Sequence, residues 1–188
     1  MRDLFEKKSH KNSETRVDEV LAKLDRRRRN SGEEAPVEKV QELIQLVIFT
    51  MDDLWCAFPG SSVLEIIPWT NITPVPGCSS VIRGVINVRG TIESVLDLHV
   101  ILSLEDENLS GRSRILIGHA SGIRSGILVD RVEDIITIDK AILRPPLDKG
   151  SSHIKYCSGG ETFYKDHYVN VLDMEKIFSD ILGPDPAP

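Results

Sequence analysis

Apolar residues change their spacing once along this chain, near Leu43. Before that point Val17, Val20, Leu21 and Leu24 recur at i, i+3, i+4 and i+7, the period of one helical face. Thr15, with Asp18 three residues on, forms a capping-box pattern ahead of them. Arg26 to Arg29 load the last turn with positive charge, which the helix dipole favours, and Asn30-Ser31-Gly32 stops the helix. The spacing therefore predicts an amphipathic helix over about 15–29, within an N-terminal extension spanning 1–42. A helix of that length is marginal by itself and is expected to dock on something.

Beyond Leu43 the apolar runs are short and β-like. Leu46 to Phe49 ends at Asp52-Asp53, and Leu54 to Phe58 follows, a hairpin signature. Pro59, Pro68, Pro74 and Pro76 break the next stretch into turns and edge segments. Ile82–Val88 and Ile92–Leu98 flank Arg89-Gly90, and Ile115–Ile117 and Ile127–Val129 flank a segment containing Gly118, Gly122 and Gly126, expected as turn glycines. A polar loop over 105–114 divides this region, and residues 183–188 are expected to form a disordered tail.

The pattern repeats. An offset of 69 residues lays Leu46–Ile67 over Ile115–Ile136 without a gap, matching apolar positions 46/115, 47/116, 48/117, 54/123, 58/127, 63/132, 66/135 and 67/136, with Glu65 on Asp134. An offset of 76 lays Val95-Leu96-Asp97-Leu98 over Val171-Leu172-Asp173-Met174. Ungapped agreement in the same order favours duplication, and predicts two small β-barrels packed as one body over 43–182.

Composition narrows the function. The chain has 188 residues and a net charge of −6, divided as +1 on residues 1–42 and −7 on the remainder. That balance argues against a protein dominated by phosphate contacts to nucleic acid. Cys56, Cys78 and Cys157 are odd in number and widely spaced, so neither a disulfide framework nor a paired zinc motif follows. No apolar run approaches the ~20 residues of a membrane span, and the first residues lack a secretory signal pattern. A cytoplasmic protein without direct membrane insertion is expected.

Candidate chemistry is sparse. No phosphate loop, dinucleotide fingerprint, zincin motif or nucleophile elbow is present. His153, Cys157 and His167 offer soft-metal donors in a Ser/Gly-rich stretch, but surface residues of a loop are the expectation, with no catalytic group, metal or cofactor. Asp52 and Asp53 are expected to solubilise a turn. The segment 79–102 stands out because Arg83-Gly84 and Arg89-Gly90 hold arginines beside glycines at the ends of an apolar strand. An arginine fixed in this way offers a bidentate fork to a partner carboxylate; two solubilising arginines at a hairpin corner are the alternative.

The order of these motifs resembles the CheW-like family: Leu46–Phe58, Val63-Leu64-Glu65-Ile66, Pro74, then Ile82-Arg83-Gly84-Val85-Ile86-Asn87-Val88-Arg89-Gly90, Val95-Leu96-Asp97-Leu98 and Gly126–Val132. The resemblance covers about 44–182. Cys56-Ala57, Pro59-Gly60 and Ser94 depart from the family's usual residues. It implies a mainly β fold of two SH3-like five-stranded β-barrels, and a non-enzymatic adaptor of chemotaxis signal transduction. The implied partners are the cytoplasmic signalling tip of chemoreceptors and the CheW-like regulatory domain of a CheA-type histidine kinase. The implied receptor-binding set is Val63, Glu65, Gly84, Asn87, Arg89 and Gly90; the implied kinase-binding set is Ile127, Val129, Asp130 and Val132. The expected setting is the cytoplasm, at receptor arrays on the inner face of the membrane. A relative that binds only kinase or only receptor is the runner-up, ahead of a metal-binding barrel on His153, Cys157 and His167 or a nucleic-acid role for Arg26–Arg29.

Overall fold

Residues 41–105, 109–146 and 152–182 are described by a computed structural model of the chain; the helix expected over 15–29 lies outside them. Strands β1 (Leu43–Met51), β2 (Leu54–Pro59), β3 (Val63–Pro68), β4 (Ile82–Val88) and β5 (Thr91–Asp97) lead into a short helix, α1 (Leu98–Leu102). The series then repeats as β6 (Arg114–Ala120), β7 (Ile123–Val129), β8 (Arg131–Asp139), α2 (Ser152–Cys157), β9 (Ser158–Tyr164), β10 (His167–Leu172) and α3 (Met174–Leu182). The two offsets found in the sequence carry β1–β3 onto β6–β8 and β4–β5 onto β9–β10. Asp97, which caps α1 by accepting the His99 N–H, matches Asp173, which accepts the Glu175 N–H at the start of α3.

The strands form two five-stranded sheets of an SH3-like, mainly β fold, ordered β8-β1-β2-β10-β9 and β3-β6-β7-β5-β4. Each sheet takes two strands from one repeat and three from the other. The crossings lie between β2 and β3 and between β7 and β8, where Gly60–Ser62 and Asp130 connect them. Within a sheet the two parts meet as parallel pairs, β10 on β2 and β5 on β7, and as the antiparallel pairs β1 on β8 and β3 on β6.

Packing explains why the strand signals are runs and not alternations. Leu46 and Ile48 face an interior shared with Ala57, Val169 and Val171 of their own sheet. Val47 and Phe49, on the opposite face, join Phe58, Leu96, Leu116, Ile127, Val129 and Phe178 in a core common to both sheets. Ile115 and Ile117 with Leu128 fill the second sheet's own interior, while Leu116 turns to the common core. Both faces of these strands are therefore dry, so both must be apolar. Phe49 and Phe58 stack with ring centroids 5.1 Å apart at the centre of the common core.

Of the three glycines expected in turns, only Gly122 is in one; Gly118 and Gly126 lie inside β6 and β7. Gly118 occupies the place where Met174 of α3 crosses the strand, and a methyl group there would overlap the methionine's Sδ and Cε atoms. Close approach of a helix, not turn geometry, accounts for this residue.

Candidate functional site

The hairpin between β4 and β5 turns through two residues, Arg89 and Gly90, with φ of 51° and 91°. Positive φ at both positions is the type I′ geometry that matches the twist of the flanking strands. Asn87 fixes the turn by accepting the Gly90 N–H at 2.7 Å. The Arg89 side chain is 81% exposed, yet its guanidinium donates to Glu65 Oε1 at 2.7 Å. Glu65 belongs to β3 and Arg89 follows β4, the two outer strands of the sheet, so this ion pair ties opposite sheet edges together. The antiparallel bridge of Thr73 to Val85, with N–H···O distances of 2.9 Å each way, helps close the same gap.

Glu65, Asn87, Arg89 and Gly90 are thus gathered around one hairpin. Val63 is half-buried and packs against the common core at the start of β3, where the pairing with β6 is bulged. Gly84 is buried, with φ of 150°; a Cβ there would overlap the Thr73 carbonyl oxygen and stand 2.8 Å from the Ile72 methyl. Its place is inside the hairpin's support, not on the surface. Ile92, paired with Asn87 and 64% exposed, adds an apolar contact that sequence reasoning missed. The two arginines flanking this strand diverge: Arg89 points outward, whereas Arg83 forms an ion pair with the buried Asp97.

The second residue set is placed differently. Ile127 and Val129 are fully buried, on the face of β7 that meets the common core, while Leu128 between them faces the second sheet's own interior. They shape the core and offer no contact surface in this conformation. Val132 is half-buried opposite Phe49. Asp130 is half-buried at the crossing from β7 to β8, where its Oδ2 accepts the Asp52 N–H at 2.7 Å.

Asp130 also belongs to a polar cluster that sequence reasoning did not find. The buried His99 imidazole has Nε2 3.3 Å from Asp130 Oδ1 and 3.9 Å from Asp52 Oδ1, and Nδ1 3.7 Å from Asp97 Oδ1. Asp130 and Asp97, outweighing burial, push the His99 pKa up to about 10. Burial raises Asp97, but His99 and Arg83 outweigh it and hold this carboxyl down to about 2. Asp52, expected to solubilise a turn, is drawn inward from its left-handed position at φ 51°. The donors expected from sequence do not converge: His153 hydrogen-bonds Ser103 at 3.3 Å, Cys157 is buried, and His167 stacks on Trp55 at 4.2 Å.

A cleft of about 500 Å³ opens on the first sheet between Ile142, Arg144, Glu161, Phe163 and Tyr168. Phe163 and Tyr168 meet edge to face at 5.3 Å and are 55% and 66% exposed. The sequence signal for this patch was the second offset, which aligns β9–β10 with β4–β5 and so with the Arg89 hairpin.

The duplicated sheets, the exchanged strands and the Arg89 hairpin define a two-sheet protein of the CheW-like class. Residues 45–182 match the CheW-like domain model, and the chain belongs to that family. It is 34% identical over 135 residues to protein FrzA of Myxococcus xanthus, covering 69% of this chain and 81% of that protein. It is 27% identical over 136 residues to the probable chemotaxis protein CheW of Rhizobium etli, covering 72% of this chain and 88% of that one. Among solved structures, the scaffolding protein TtCheW of Thermoanaerobacter tengcongensis superposes with a TM-score of 0.67 at 24% identity, covering 78% of this chain and 94% of that one. No helix among the described residues is long and apolar enough to cross a membrane.

Proposed function

We propose that this protein is a non-enzymatic adaptor that joins the cytoplasmic signalling tip of a chemoreceptor to a CheA-type histidine kinase, acting in the cytoplasm at receptor arrays. The observation that carries the reading is the Glu65–Arg89 pair on a rigid hairpin, in a chain of the CheW-like family. The receptor-facing patch comprises Glu65, Asn87, Arg89 and Gly90, with Val63 and Gly84 supporting it from below. An exposed guanidinium already oriented by a carboxylate meets a charged helical surface with little loss of side-chain freedom. Contact with the kinase is made through its CheW-like regulatory domain. Ile127 and Val129 act on that contact only through the core they fill, and Asp130 and Val132 stand at the crossing from β7 to β8. The exposed Ile142, Phe163 and Tyr168 form the touching surface, since exposed aromatics beside a cleft suit a protein partner.

Co-sedimentation of the purified chain with receptor fragments and kinase tests the proposal. Wild type is expected to join the pellet with both, and Arg89→Ala to lose the receptor. Failure to bind either partner at micromolar concentration overturns it, and kinase assays with and without receptor separate bridging from blocking.

A further inference from the structure

The cluster around His99 has the form of a metal-binding site. His99 is 1% exposed, and neither of its ring nitrogens has a hydrogen-bond partner among the described residues. Asp52 Oδ1 is likewise buried and without a partner. These atoms gather with Asp130: one ligand atom each from Asp52, His99 and Asp130 lie within 4.8 Å of one another. At zinc bond lengths of about 2.0–2.1 Å, tetrahedral ligand atoms stand roughly 3.3 Å apart. The distances of 3.3 and 3.9 Å from His99 Nε2 to the two carboxylates approach that spacing.

The surroundings fit the same reading. Asp97 lies 3.7 Å away on the Nδ1 side of His99 and accepts that residue's backbone N–H at 3.1 Å, so it positions the imidazole through the main chain. Arg83 pairs with Asp97, so the carboxylates of Asp52 and Asp130 are the ones left facing the imidazole at Nε2. Asp52 and Asp130 also line a cleft of about 650 Å³ with Trp55, Arg112 and His167, which gives a cation a way in and room for a solvent ligand.

We propose that Asp52, His99 and Asp130 bind a divalent transition cation with zinc-like nitrogen and oxygen preference, oriented by Asp97. Asp52 sits in the β1–β2 turn, Asp130 at the β7–β8 crossing and His99 on α1 after β5. The cation therefore clamps elements of both sheets at the place where strands are exchanged.

Zinc chloride titrated calorimetrically into the chelator-stripped full chain, at mildly alkaline pH, tests the site, with thermal melts alongside. Wild type is expected to take up one equivalent and to melt higher. Asp52→Asn and Asp130→Asn, which keep the shape, are expected to abolish stoichiometric uptake and the rise in Tm, and Asp97→Asn to weaken binding about 10–100-fold. No stoichiometric uptake by wild type overturns the proposal. So does uptake undiminished in Asp52→Asn and Asp130→Asn, or removed instead by His153→Ala or His167→Ala.

Discussion

Lys165 stands 3.6 Å from Asp134, and the internal duplication maps this pair onto Arg89 and Glu65. The turn is repeated as well. Lys165 and Asp166 have φ of 44° and 65°, as Arg89 and Gly90 have positive φ in the first hairpin. The copies differ where partners would be told apart. Tyr164 donates its hydroxyl to Asp134 and lies under the Lys165 ammonium at 4.8 Å, so the second pair rests on an aromatic ring.

Reversing the exposed pair, Glu65→Arg with Arg89→Glu, is expected to leave stability within about 1 kcal/mol of wild type, because exposed ion pairs contribute little. Receptor co-sedimentation is expected to fall sharply. A large loss of Tm, or unchanged co-sedimentation, contradicts the assignment of this pair to recognition.

Gly84→Ala forces a methyl group into the Thr73 carbonyl and the Ile72 side chain at a positive φ. The expected loss is about 1–3 kcal/mol or more by urea denaturation. Gly111→Ala, where nothing lies within 4 Å of the added carbon, serves as the neutral control. Equal midpoints for the two variants refute the packing argument.

Thiol reactivity divides the cysteines. Cys78 is exposed, Cys56 and Cys157 are buried, and burial pushes the Cys56 thiol well above its usual range. A chromogenic disulfide reagent is expected to modify Cys78 at once and the other two only after denaturation. Rapid modification of Cys56 in the native protein contradicts the core assignment.

The acid limb of stability follows from Asp97. Its pKa is depressed in the folded chain, so its contribution is present above the unfolded value of about 3.9 and disappears as pH falls through about 2. Arg83→Met removes one of the groups holding the carboxylate charged and is expected to move acid unfolding to higher pH. Circular dichroism across that range checks it; an unchanged midpoint removes Arg83 from the account.

Much of the fold was legible because the duplication left the apolar runs in register. What the runs concealed was their division. Val47 and Ile48 look alike in sequence, but one faces the common core and the other its own sheet, and strand exchange decides which. The Arg89 hairpin was legible from arginine beside glycine. Its partner Glu65 was identified only by resemblance, because their contact spans two outer strands that curl together. The inward position of Ile127 and Val129 was hidden because β7 is dry on both faces, so its apolar run shows no alternation. His99 gave no motif at all, since Asp52 joins it from the β1–β2 turn and Asp130 from the β7–β8 crossing, both distant in sequence.

The traded strands make each repeat depend on the other. A single repeat would keep its first two strands in one sheet and send its last three to another, leaving both sheets incomplete. Each half therefore supplies the strands that complete the other's sheet. Cleaving the chain within 105–114 is expected to leave two fragments that recover structure only when mixed.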